Sequence, residues 1–502
     1  MVKRYVLLLF GVLLILISNA QNQKEETVES VKYTGRLLDG ETQDPLAFAH
    51  VAILGTKSGA VTNENGSFTI ISSQLRENDT LSFYFVGYRT KKISIGNLLS
   101  KSTIYLTSET FSLNEFFVFA DNKNPEGIVK LVLLNMAANY KKTYAKNQVF
   151  TRNRSVSDIN SIDIKFKKSS FEQLSEKMTK LIEKRLPKHS ISYTDFLGDA
   201  YLSANLKDTL KLDLIKKVRL KDKNLADVNQ LEKMFEKMFK NTNENEYWKI
   251  KSGIIGGKVD LEEDAKDTKD SLVKYNAESS RKIYYYAKRL NNLFENRFSN
   301  KKMWEFLHHT NRYDYELVFG TQINGEKVYV IDFTPINKGE YKGRLYIAMD
   351  TYALVKANYS YADGKTGTNI NLFGVGYTKN VSDVNIYFEK REGTYQLKYY
   401  AKKAGSKVSF DRNVSLLKKK KRFLVDKKLN EIKVKLSMKV TELKSFEILV
   451  VSSEKIQAKE FNKFKQKPNF KTVYVDQFSD DLWKDFTIIE PSKEMREYKK
   501  TE

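Results

Sequence analysis

The stretch GAVTNENGSFTI, Gly59 to Ile70, packs a small-residue approach, an Asn-Glu-Asn-Gly turn and an alternating Ser-Phe-Thr-Ile run into twelve positions. Asn63 and Asn65 can bond their own backbone, Gly66 supplies a positive φ, and Phe68 and Ile70 then point to a common core. Short apolar runs lie on either side. They are Tyr33 to Leu38, Ala49 to Leu54, Thr80 to Val86, Lys92 to Ile95 and Thr103 to Leu106, with Asp44-Pro45 marking a turn. Strands this short, with turn residues every eight to twelve positions, read as an all-β sandwich over roughly 31–107.

At 502 residues the chain has room for two to four domains, and 41% hydrophobic with 12% aromatic content can fill large cores. The first twenty residues stand apart. Lys3 and Arg4 precede a continuous apolar run from Tyr5 to Ile17, and Ser18-Asn19-Ala20 supplies small residues before a cleavage point. That pattern predicts a secretory signal peptide at 1–20 and an exported protein. There is no cysteine, so disulfides, thiol catalysis and thiolate metal sites are excluded. The net charge is +24, falling by two to +22 without Lys3 and Arg4. Export argues against nucleic acid as the partner of this charge. Lysines interleaved with 62 acids read first as a solvated surface, with a peripheral contact to an anionic membrane as a further expectation.

The order Gly35, Asp44-Pro45-Leu46, Val51, Gly55-Thr56, Gly59, Thr62-Asn63-Glu64-Asn65-Gly66-Ser67-Phe68, Leu81 and Gly87-Tyr88 resembles the carboxypeptidase regulatory-like domain. That family is a transthyretin-like seven-strand sandwich, abundant in exported proteins of the Bacteroidota. Its turn usually reads Thr-Asp-x-x-Gly-x-Phe, and here Asn63 stands in the place of the Asp. The resemblance covers under a fifth of the chain. It implies an interaction or stabilising module and brings no catalytic residues with it.

Beyond the sandwich, Leu113 to Ala120 is similar to the short strand that trails this domain in outer-membrane receptors. Ile128, Leu131, Val132, Asn135, Met136 and Asn139 fall on helical spacing within Pro125 to Tyr144. Residues 108–145 thus read as a connecting strand and helix. Residues 146–310 read as mainly helical, with amphipathic helices at Phe171 to Arg185 and Ala226 to Lys240. From 311 to 490 the chain turns β. Asn324-Gly325 joins two strands, and Ile432, Val434, Leu436, Met438 and Val440 alternate with lysines, which predicts one buried and one wet face. These hairpins, with Gly343-Arg-Leu-Tyr-Ile-Ala-Met-Asp350, resemble the curved half-barrel of periplasmic lipoprotein carriers. The alternating lysines argue against a lipid-facing barrel.

The sequence offers no catalytic, cofactor-binding or metal-binding residues. His50, His189, His308 and His309 are followed three positions later by Ile53, Ser192, Asn311 and Arg312, so a zinc carboxypeptidase motif is missing. Gly-x-Ser-x-Gly does not occur, and Gly364-Lys365-Thr366 lacks the first glycine of a phosphate loop because Tyr359 stands there. Lys418 to Arg422 is a basic run that reads as a solvated turn or a lipid contact.

The chain is therefore read as α+β and mostly β: an N-terminal transthyretin-like β-sandwich, a helical middle and a C-terminal curved antiparallel sheet. The expected function is that of a non-enzymatic cell-envelope protein, periplasmic or outer-membrane associated. Its sheet would dock an envelope protein or bind an apolar ligand. A lipid or lipoprotein carrier is the alternative, and a hydrolase with its site in 146–310 is the second. The sequence names no ligand-binding residue.

Overall fold

The computed structural model describes residues 31–498, apart from 57–58, 73–77, 86, 99–100, 109–123, 173, 206–209, 221–244, 253–254, 260–270, 295–297, 337 and 468–469. The expected signal peptide, the strand at 113–120 and the helix at 226–240 lie outside the described residues.

Seven strands make the sandwich: β1 (Val31–Asp39), β2 (His50–Ile53), β3 (Gly59–Val61), β4 (Ser67–Ser72), β5 (Thr80–Tyr84), β6 (Lys91–Ser94) and β7 (Lys101–Leu106). They form two sheets, β4-β1-β7 and β3-β2-β5-β6. Between them lies a core of Leu37, Val51, Ile53, Phe68, Ile70, Leu81, Phe83, Ile104 and Leu106. The 63–67 turn closes as its residues require. Asn63 Oδ1 accepts from the amides of Asn65 (2.9 Å) and Ser67 (3.0 Å). Gly66 sits at φ +75°, where a Cβ would lie 2.4 Å from the Leu37 carbonyl oxygen, so no other residue fits.

Helices α1 (Pro125–Leu134) and α2 (Met136–Asn139) follow, with Pro125 in the first turn and Asn124 capping it. Then comes β8 (Ala145–Ser169), α3 (Glu176–Arg185), β9 (His189–Leu202), β10 (Lys211–Leu220), β11 (Glu246–Ser252), β12 (Ile255–Val259), α4 (Ser271–Phe294) and α5 (Glu305–His308). The expected mainly helical region at 146–310 is thus corrected: strands make up half of its described part and outweigh the helices. Alternation was present in the sequence, since Ile162, Ile164 and Phe166 interleave with Asp163, Lys165 and Lys167. The many helix-forming charged residues in between obscured it.

The C-terminal hairpins form as expected: β13 (Tyr313–Ile323), β14 (Glu326–Pro335), β15 (Tyr341–Ala348), β16 (Leu354–Tyr361), β17 (Asn369–Leu372), β18 (Val375–Arg391), β19 (Thr394–Lys420), β20 (Lys427–Lys455) and β21 (Thr472–Val475). Asn324 (φ +49°) and Gly325 (φ +81°) make the two-residue turn whose twist matches its strands. All these strands join β8 to β12 in one 14-stranded sheet, in which β20 pairs β8. The expected boundary at 310 therefore falls inside a single sheet.

One face of that sheet carries helices. Phe306 of α5 stacks on Phe333 (4.3 Å between centroids) and meets Tyr359 (4.9 Å), while Phe298 and Tyr140 pack on Phe388. The other face carries the sandwich. Phe48 stacks on Tyr399 (5.6 Å), and His50 lies against Tyr387 (3.9 Å). Beyond this body β19 and β20 run on as an arm. There Ile432, Val434, Leu436 and Met438, expected on a buried face, are half-buried.

Candidate functional site

Neighbouring strands place register partners side by side, about 4.8 Å apart, with side chains on the same face. On the sandwich-facing side one such chain of partners is polar almost throughout. Asp332 pairs with Arg344, Arg344 with Asn358, and Asn358 with Asn385. Asn385 then pairs with Ala401, Ala401 with Glu447, Glu447 with Arg152, and Arg152 with Asp195. The row crosses β14, β15, β16, β18, β19, β20, β8 and β9, spanning about 34 Å at that spacing. A second row, two residues along, is polar too: Lys342, Ser360, Asp383, Lys403, Ser445 and Arg154 are successive partners.

The two halves of this floor differ. At the β20-β8-β9 end it is closed. Arg152 grips Asp195 through Nε (3.1 Å) and Nη2 (2.7 Å), and its Nη1 donates to the Ile489 carbonyl (2.7 Å). Burial raises the Asp195 carboxyl above its ordinary range, and the guanidinium opposes that rise. Burial also raises Glu447, opposed by Arg152 and by the Tyr399 hydroxyl that donates to it at 2.9 Å. A chain segment near the C-terminus forms the lid: Arg154 pairs with Glu494 (2.6 Å), and Asn63 Nδ2 donates to the Pro491 carbonyl (3.2 Å). Between lid and floor a pocket of about 340 Å³ persists, with Glu64, Tyr193 and Lys402 in its wall.

At the β14-β15-β16-β18 end the floor is open. A cleft of about 680 Å³ lies over Asp332, Arg344, Asn358, Asn385 and Lys403. Arg344 holds Asp332 in a bidentate pair (2.6 and 2.8 Å). That hydrogen bond, set against partial burial, moves the guanidinium further upward, so Arg344 keeps its charge. Asn358 Oδ1 is buried at the cleft floor with no protein partner among the described residues. Phe48 borders both the cleft and the pocket, above Ala401, the one apolar position in the row. Its backbone stands at φ +62°, a conformation that costs a non-glycine residue of order 1 kcal/mol or more. Strain of this kind, kept where a ring is aimed into a cleft, marks Phe48 as a positioned side chain. The sequence singled out none of these residues. The only local signal is an aromatic between two alanines just after the Asp44-Pro45 turn.

The residues that the sequence did single out stand apart. His50 is buried between sandwich and sheet, where burial, then Lys356 and Lys398, push its pKa well below the ordinary value. His189 faces Asp158 (2.5 Å) at the surface, and His308 meets the Phe298 carbonyl (2.8 Å). Gly364 is a turn residue at φ +73°. Among the described residues no three His, Asp or Glu side chains converge as metal ligands, and no helix is long and apolar enough to cross a membrane. The arrangement offers hydrogen-bond donors and acceptors at strand spacing, which suits recognition of an extended polar chain.

A seven-strand, two-sheet sandwich with this Asn-Gly turn belongs to the transthyretin-like class. Residues 33–118 match the family of the CarboxypepD_reg-like domain, which places the sandwich in that family. No curated protein matches the chain. Among solved structures it is similar to a domain ascribed to outer membrane lipoprotein sorting in Vibrio parahaemolyticus (9% identity, 68% of this chain, 98% of that one, TM-score 0.20). It is also similar to the MucA/MucB complex of Pseudomonas aeruginosa (9%, 66% and 99%, TM-score 0.17). A third likeness is to a membrane-associated protein of unknown function from Bacteroides fragilis (11%, 84% and 97%, TM-score 0.13).

Proposed function

We propose that this is an exported, non-enzymatic cell-envelope protein that docks a polypeptide segment of an envelope partner in the open cleft between sandwich and sheet. The observation that carries this reading is the unfinished polar row. In its buried half Asp195, Arg152 and Glu447 are each partnered, whereas Asn358 Oδ1, at the floor of the open half, has no protein partner among the described residues. Burying such an oxygen unpaired costs about 1–3 kcal/mol, which a donor on a bound chain would recover. The sandwich contributes Phe48 as the wall and the fixed geometry of the cleft. On the other side of the sheet, Trp304, Phe306, Phe333 and Tyr359 pack into a dense aromatic cluster. That filling weighs against an apolar cargo on the helix side and so against the carrier.

The test is purification of the full chain from its native envelope, with quantitative mass spectrometry of what comes with it. A stoichiometric protein retained by the wild type and by Lys444→Glu, but lost from Arg344→Glu/Asn358→Leu, supports docking. A protein retained equally by all three contradicts it. A stoichiometric lipid retained by all three would favour the carrier.

A further inference from the structure

The β19–β20 arm ends in three consecutive apolar side chains that no described residue covers. Phe423 is 101%, Leu424 88% and Val425 77% exposed, the first two being the most solvent-facing large apolar residues among those described. Isolated exposed leucines are ordinary, but a contiguous apolar tip at the far end of an arm is not. The arm sets this tip well away from the body. From Ser406, which lines a pocket with Met303 and Tyr361 of the body, to Lys420 is a run of strand about 45 Å long.

The collar of the tip is strongly basic. Residues 418–428 hold seven basic side chains and one acid, Asp426. That acid accepts from the Tyr247 hydroxyl and the Arg422 amide, so it is engaged in shaping the turn. Glu246 on the paired β11 meets Lys418 (2.9 Å), and Glu431 meets Lys428 three residues before it on β20 (2.9 Å), which leaves the collar with a clear positive excess. An apolar point within a ring of lysine and arginine is complementary to one kind of surface. Its negative charges must lie at the level of the collar, with an apolar phase a few ångströms deeper. That is an anionic bilayer.

We propose that the tip of the β19–β20 hairpin is a membrane-contact point, with Phe423, Leu424 and Val425 entering the headgroup region and the flanking lysines seated on the lipid phosphates. The contact is peripheral and reversible. It orients the arm toward the bilayer and the sandwich and cleft away from it, and it does not depend on what the cleft binds.

The test uses the full chain and sucrose-loaded vesicles of phosphatidylethanolamine with phosphatidylglycerol, beside vesicles of phosphatidylcholine alone. Wild-type protein is expected to sediment with the anionic vesicles and to come off as salt is raised. Phe423→Ser/Leu424→Ser/Val425→Ser should bind at least about tenfold more weakly. Phe373→Ser, at the exposed β17–β18 turn without such a collar, should bind like wild type. Because Trp248, Trp304 and Trp483 are all buried, Phe423→Trp gives a clean second signal, expected to shift to the blue on the anionic vesicles. Equal sedimentation of the triple variant, or no spectral shift from position 423, would overturn the proposal. So would a concentration-dependent dimer that only the triple variant loses, since the tip would then be covered by a second copy.

Discussion

Asn63 hydrogen-bonds in two directions at once. Its oxygen organises the 63–67 turn, and its amide nitrogen reaches the Pro491 carbonyl in the lid over the sheet. The position where Asn stands in place of the usual Asp is therefore the point where turn and lid meet. Asn63→Asp keeps the turn but sets a carboxylate against a carbonyl. It should cost about 1–3 kcal/mol and raise hydrogen exchange at 487–491 before the rest of the sheet, as denaturation and exchange mass spectrometry would report. Lys356 makes a second case. It is buried against Phe85 and Tyr346, and burial lowers its pKa from 10.5 to about 8. The unfolded chain then holds this proton more tightly than the folded one between those two values. Stability from this group rises with pH across that window, and below it the full penalty of about 3 kcal/mol applies. Lys356→Met should be more stable than wild type by about that much at pH 7, and its advantage should shrink by about pH 9.5. Denaturation midpoints at the two pH values check this, and a constant advantage would contradict it.

At the scale of elements, the strands with strict turn chemistry were legible and the longest ones were not. Asn324-Gly325 and the 63–67 turn carry their φ requirements in their residue types, so the hairpins around them could be read directly. In β10 the run Leu212, Leu214, Val218, Leu220 loses its alternation at an irregularity between Leu214 and Lys216. In β8 polar residues occupy both faces wherever the arm is solvated. Gly343 shows what register demands inside the sheet. It lies between its partners Phe333 and Tyr359, and a Cβ there would meet the Asn358 carbonyl oxygen at 2.2 Å and the Tyr359 Cβ at 2.7 Å. Gly343→Val should destabilise by about 2–3 kcal/mol and loosen the Tyr359–Phe306 contact, seen as a lower denaturation midpoint and faster exchange in β15 and β16.

Across the whole molecule, sandwich, sheet and C-terminal segment are tied by a few polar contacts distant in sequence. Arg152 holds Asp195 and Ile489, Arg154 holds Glu494, Thr487 bonds Ile71, and the Tyr498 hydroxyl donates to the Ile191 carbonyl. No local pattern announces such contacts. Asp332 and Asp195 end one row only because β20 pairs β8 across the chain, and so the candidate site was invisible in the sequence while the sandwich was plain. Arg152→Met should cost about 3–5 kcal/mol, since Asp195 and Glu447 would be left buried without their cation; equilibrium unfolding would measure it.

The open half of the polar row is proposed to receive a polypeptide. A photo-crosslinking side chain at position 385, on the cleft floor, tests it most directly in cells. The expected result is a covalent adduct to a defined peptide of one envelope protein, lost when Arg344→Glu is added and not formed from position 378 on the arm. Adducts to lipid, or the same adducts from both positions, would contradict it.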